Sequence, residues 1–66
     1  MSFGKYLKEY REKNSFSQAE LAEMVGTSQQ MIAYFENDLR NPNATTLILI
    51  CQALDCTPND LLGFNE

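Results

Sequence analysis

A chain of 66 residues has room for a single domain, and at this size so little surface is buried that every apolar side chain counts. Its 44% hydrophobic content, with Phe3, Phe16, Phe35 and Phe64, is enough for one core and argues against disorder; the longest apolar run, Leu47 to Cys51, is too short for a signal peptide or a membrane span, so a cytoplasmic location is expected. The formal charge of −4 taken alone points away from nucleic acid, because neutralising phosphates supplies much of the affinity in such complexes.

Helical spacing dominates, and no stretch alternates as a half-buried strand does, so the expected fold class is all-α with five short helices. In the first, Phe3, Leu7 and Tyr10, joined by Tyr6, form the packing face, and Lys5, Lys8, Glu9, Glu12 and Lys13 fill the solvated side. Asn14 and Ser15 break it. Ser17 followed by Glu20 has the form of a capping box and starts a second helix at Gln18, with Leu21, Ala22 and Val25 inward and Gly26 as the left-handed residue that ends it. Thr27 and Gln30 repeat the box spacing, which predicts a third helix two residues beyond the second and forces a steep crossing.

At about 100° per residue with Gln29 at zero, Ala33, Asn37, Gln30 and Tyr34 fall near 40°, 80°, 100° and 140° of the third helix. Ile32, Ser28 and Phe35 cluster on the opposite, core-facing side. The outward face is therefore amide plus one tyrosine, without charge. After a loop from Asn37 to Pro42, Asn43 caps a fourth helix through Leu47, Ile48, Ile50, Cys51 and Leu54, whose nearly continuous apolar character predicts the most buried element. Thr57, Pro58 and Asp60 start a fifth, which carries Leu61 and Leu62 and closes at Gly63. Cys51 and Cys56 are the only cysteines and there is no histidine, so the expected state is a reduced core thiol without metal or cofactor.

The segment Gln18-Ala-Glu-Leu-Ala22-Glu-Met-Val-Gly26-Thr-Ser-Gln-Gln-Met-Ile32-Ala-Tyr-Phe35-Glu36-Asn37 resembles the Cro and lambda-repressor-like helix-turn-helix family, also called the XRE family, and especially its glutamine-reading phage repressors. Ala22 is small where two helices approach, Gly26 takes the turn, and Ile32 and Phe35 anchor the third helix. The resemblance extends from Phe3 to Leu62, making residues 1–66 one helix-turn-helix domain with a core about 17–37. It implies a DNA-binding transcriptional regulator, expected to be a repressor, whose third helix enters the major groove while the second lies across it. It also implies base contacts from Gln29, Gln30, Ala33 and Tyr34, and phosphate contacts from Ser17, Gln18, Ser28, Asn37, Arg40 and Asn41. Arg11 and Glu36 stand where the family joins its first helix to the end of its third. Asp38 stands where the family often has glycine, so Asp38 or Asn37 must take a left-handed conformation.

Glutamine suits adenine, and Ala33 and Tyr34 offer apolar surface to a thymine methyl, so the expected partner is an A/T-rich double-stranded operator. A two-fold protein on a pseudo-palindrome would double the interface, and the family places the homodimer contact around Asn43 to Thr46 and the fifth helix. From Ser17 to Asn43, Arg40 alone faces Glu20, Glu23, Glu36 and Asp38, which predicts weak non-specific affinity. That acidity is the one support for an alternative, a scaffold for protein contact of antitoxin or anti-repressor kind. An enzyme is not expected, for Ser17 and Cys51 have no activating base. The chain is either a full regulator or the amino-terminal domain of a longer one.

Overall fold

The computed structural model describes residues 2–64 and folds them into α1 (Phe3–Lys13), α2 (Gln18–Val25), α3 (Gln29–Glu36), α4 (Ala44–Leu54) and α5 (Pro58–Leu62), with no strand among the described residues. Every helix opens on a short polar side chain that accepts one of the N–H groups a first turn leaves unbonded. Ser2, Ser17, Ser28, Asn43 and Thr57 serve α1 to α5 in turn, and Ser17 and Thr57 form full capping boxes with Glu20 and Asp60. For α3 this corrects the expected start. Thr27 cannot be its cap, because its N–H returns to the Ala22 carbonyl at 2.9 Å and so belongs to the closure of α2. Ser28 caps instead, its hydroxyl accepting from the Met31 N–H at 3.1 Å, and it is exposed rather than core-facing because a cap residue lies outside the 100° progression of the helix.

All five helices end in one way. Ser15, Gly26, Asp38, Asp55 and Gly63 have φ of 62°, 80°, 59°, 54° and 79°. After each, the next N–H reaches back five residues, from Phe16 to Arg11, Thr27 to Ala22, Leu39 to Tyr34, Cys56 to Cys51 and Phe64 to Asn59, at 2.9 to 3.1 Å. This is the Schellman closure, which satisfies carbonyls left over at a helix end. Two of the five positions carry glycine. At α4 the closure sets Cys56 beside Cys51; both thiols are free, and burial pushes that of Cys56 up to about 12.

Leu7, Leu21, Ile32, Ile50, Leu54 and Leu61 are fully buried, so each helix sends at least one side chain into a common core. Phe3, Tyr6, Tyr10 and Phe16 pack against its edge. The fourth helix is not the most buried. It packs against α2 and α5, which covers Ile50, Cys51 and Leu54, while Ile48 and Leu49 are 52% and 38% exposed on its other side. Leu62 and Phe64 are likewise exposed, so Phe64 adds nothing to the core.

The stripe of α1 that faces α3 is Gly4, Leu7 and Arg11. A Cβ on Gly4 would overlap the main-chain carbonyls of Phe35 and Glu36, so glycine is required for the end of α3 to lie against the first turn of α1. Two turns further on, buried Arg11 meets buried Glu36. Arg11 Nε donates to Glu36 Oε2 at 2.6 Å and Nη2 to Oε1 at 3.2 Å, and Nη1 donates to the Phe16 carbonyl at 2.8 Å. Gln18 Nε2 adds a bond to Glu36 Oε1 at 3.1 Å, which brings α2 into the joint. The hydrogen bond from Arg11 raises the pKa of its guanidinium further, against burial.

Three stability outcomes are expected. Arg11→Met strands the Glu36 carboxylate in the core and lowers unfolding free energy by about 3–5 kcal/mol, read by urea denaturation. An unchanged midpoint would show the pair to be dispensable. Asp55→Gly relieves a left-handed backbone and raises stability by about 1 kcal/mol. Asp38→Gly, with a similar φ, gives no gain, because the Asp38 carboxylate has a partner of its own, described next.

Candidate nucleic-acid interface

The αL turn at Gly26 sets α3 across α2, and Ile32, Phe35 and Glu36 hold α3 from behind. What remains outward is Gln29, Gln30 and Asn37, exposed, with Ala33 and Tyr34 half-buried between them. These are the residues that helical angles assigned to the outer face. No charged side chain lies among them. Asn37 Nδ2 donates to the Ala33 carbonyl at 2.8 Å, and Gln30 Nε2 donates to Tyr34 Oη at 2.7 Å.

Around this face lie the residues expected to meet phosphates. Ser17 is exposed at the start of α2, where its hydroxyl accepts from the Glu20 N–H at 3.0 Å and its own N–H donates to Glu20 Oε1 at 2.8 Å. Gln18 is half-buried and commits one amide N–H to Glu36, leaving its Oε1 and second N–H for an outside partner. Arg40 and Asn41 are exposed beyond α3, and the Arg40 guanidinium lies over the Tyr34 ring, 5.8 Å from its centre. Between this loop and α3 runs an open groove of about 280 Å³ with Met31 and Phe35 in its floor and Arg40, Asn41 and Asn43 at its rim.

The acidic balance of this region looks different in three dimensions. Glu36 is buried against Arg11, and Glu20 is held in its capping box, where the Ser17 N–H lowers its pKa. Asp38 takes the left-handed conformation left open between it and Asn37, whose φ is −97°. Its Oδ1 accepts from the Gly4 N–H at 2.9 Å, and the Ser2 hydroxyl with that N–H holds its carboxyl below the ordinary value. Asp38 thus serves as a second, remote cap for α1, at the positive end of that helix. Of the four acids, Glu23 alone has no such role in the fold. A separate groove of about 360 Å³ on α2 joins Phe16 and Met24 to Glu20 and Glu23.

Sequence reasoning passed over Gly4, although a glycine on the packing stripe of a helix is a signal of close backbone approach. It also passed over the bonds from Gln18 to Glu36 and from Asp38 to Gly4, which join residues 18 and 34 positions apart.

A family model described as helix-turn-helix matches residues 7–61. The HTH-type transcriptional regulator ImmR of Bacillus subtilis is 35% identical over 66 residues, covering 100% of this chain and 52% of ImmR. Repressor protein C2 of Salmonella phage P22 is 36% identical over 59 residues, covering 89% of this chain and 27% of C2. The chain thus spans about half of the one relative and about a quarter of the other. The crystal structure of the P22 c2 repressor in complex with a synthetic operator superposes with a TM-score of 0.91 at 34% identity, covering 94% of each chain. With the turn, the packing of α3 and the match along most of its length, the chain belongs to the helix-turn-helix family, in its Cro and lambda-repressor-like (XRE) branch.

Proposed function

We propose that this chain is the operator-reading part of a repressor acting on the nucleoid in the cytoplasm, with α3 in the major groove of an A/T-rich, pseudo-palindromic site. The observation that carries this reading is the uncharged outer face of α3, where exposed Gln29 and Gln30 flank half-buried Ala33 and Tyr34 on a helix braced from behind. Glutamine can donate to N7 and accept from N6 of adenine, and Ala33 offers its methyl to thymine. Ser17, Gln18, Ser28, Asn37, Arg40 and Asn41 carry the hydroxyl, amide and guanidinium groups that would donate to phosphate oxygens. The operator bound in the P22 c2 repressor structure supports the same kind of partner.

Specific and electrostatic contributions separate by mutation. Gln29→Ala costs about 1–3 kcal/mol at its cognate base pair and relaxes preference there, whereas Arg40→Ala weakens all sequences alike and reduces the slope of log K against log salt by about 1. Fluorescence anisotropy at several salt concentrations, on selected and random duplexes, distinguishes them. Equal loss on both duplexes for Gln29→Ala would mean that α3 does not read bases.

Binding as a homodimer follows from the short reach of one α3, with half-sites about 34–36 Å apart. Exposed Leu62 and Phe64, in and just after α5, support the contact surface expected around Asn43 to Thr46 and that helix. Sedimentation of the chain with a palindromic duplex is expected to give two chains per duplex. A one-to-one complex at saturation refutes the dimer.

A second reading, protein contact in place of DNA, is favoured by the apolar and acidic groove of Phe16, Glu20, Glu23 and Met24. Antitoxin HipB of Escherichia coli (strain K12) is 39% identical over 49 residues, 74% of this chain and 56% of HipB. Failure to enrich any duplex from a random pool would favour this reading.

A further inference from the structure

The ring of Tyr34 offers apolar surface to a thymine methyl, yet its hydroxyl is already engaged. Gln30 Nε2 donates to Tyr34 Oη at 2.7 Å, and the Arg40 guanidinium sits 5.8 Å from the centre of the same ring. A base-facing amide and a phosphate-facing cation therefore share one side chain. The backbone accounts for both neighbours. Residues 30 and 34 are four apart and stack on one face of the helix. The left-handed Asp38 then folds the chain back, so that the Leu39 N–H meets the Tyr34 carbonyl at 2.9 Å and the following residue, Arg40, lies over the ring.

We infer that Tyr34 is a positioning and specificity-determining residue, which fixes the amide of Gln30 so that the two side chains together read two adjacent bases. This inference rests on the proposal that α3 reads DNA.

A glutamine amide carries two N–H donors and an acceptor oxygen, and on an exposed helix it turns freely. Here one N–H is committed to the phenol oxygen. The other N–H and Oε1 remain, which is the pair of groups that adenine N7 and N6 require. Because Tyr34 accepts through its oxygen, its own O–H is left to donate. An acceptor on the neighbouring base, such as thymine O4 or guanine O6, satisfies it, whereas the cytosine N4 amino group, itself a donor, does not. Holding the amide in place before binding also lessens the side-chain ordering that complex formation requires.

Tyr34→Phe removes the hydroxyl and keeps the ring under Arg40. In competition binding on single-base variants of the selected site, it is expected to lose about tenfold discrimination at the base pair that Gln30→Ala loosens, a change of about 1.4 kcal/mol. It also loses the bias against cytosine at the adjacent position. Affinity for random duplex, its salt slope and the melting temperature stay as in the parent. In the double variant the discrimination falls no further than in Gln30→Ala, since both changes break one unit. Gln30 is exposed, so Gln30→Ala tests the bond without touching the core. Parental discrimination in Tyr34→Phe, or losses that multiply in the double variant, overturns the inference alone. A parent chain that selects no sequence overturns the reading of α3 as well.

Discussion

The ion pair of Arg11 with Glu36 is the joint on which the orientation of α3 depends. Both groups are buried, and a buried charge is tolerated only when its partners are complete. Here they are. Arg11 has the Glu36 carboxylate and the Phe16 carbonyl, and Glu36 has Arg11 and Gln18. The joint links the last turn of α1, the start of α2 and the last turn of α3, elements that hydrophobic contact alone would let slide. Apolar burial is non-directional, so it brings the helices together without setting the roll of α3 about its axis. Two bonds between a planar guanidinium and a planar carboxylate do set it, and that roll decides which side chains face outward.

Close to this joint, the backbone supplies a second constraint. Gly4 admits the last carbonyls of α3 to the first turn of α1, where the negative end of one helix meets the positive end of the other. Asp38 adds a full charge to that meeting by accepting from the Gly4 N–H. These contacts lie behind and beneath the outer face, and none uses a side chain of that face. A sequence with four acids in and around its third helix thereby leaves the outer face of that helix uncharged. Of the four acids between Ser17 and Asn43, three have a role in the fold, in a core ion pair, a capping box and a remote helix cap.

Much of the fold is legible in the sequence because its determinants are local. A cap followed by an acid three residues on, a glycine in the left-handed region and helical spacing of apolar residues each act within a turn or two; α2 and α5 follow all three closely, and α1 follows the spacing. The outer face of α3 is legible for the same reason. Where two local signals compete, the reading slips, as at Thr27 and Ser28, where closure of one helix claims the residue that could have capped the next. Burial of α4 was misjudged because apolar character says what a side chain tolerates, whereas position at the flank of the bundle says what covers it. The bonds of Gln18 and Asp38 were not legible at all, since nothing local links them to Glu36 and Gly4.

The left-handed turn at Asp38 is where fold and proposed function become one mechanical unit. Its backbone closes α3 and carries Arg40 over Tyr34, while its side chain reaches the other way to the first turn of α1. Glycine would adopt this φ at less cost but could not hold both ends. The loop bearing Arg40 and Asn41 is thus tied on one side to the helix expected to read bases and on the other to the helix that braces it. The loop of Arg40 and the amide of Gln30 thus meet at one ring, whose helix is braced through Asp38 from the first turn of α1.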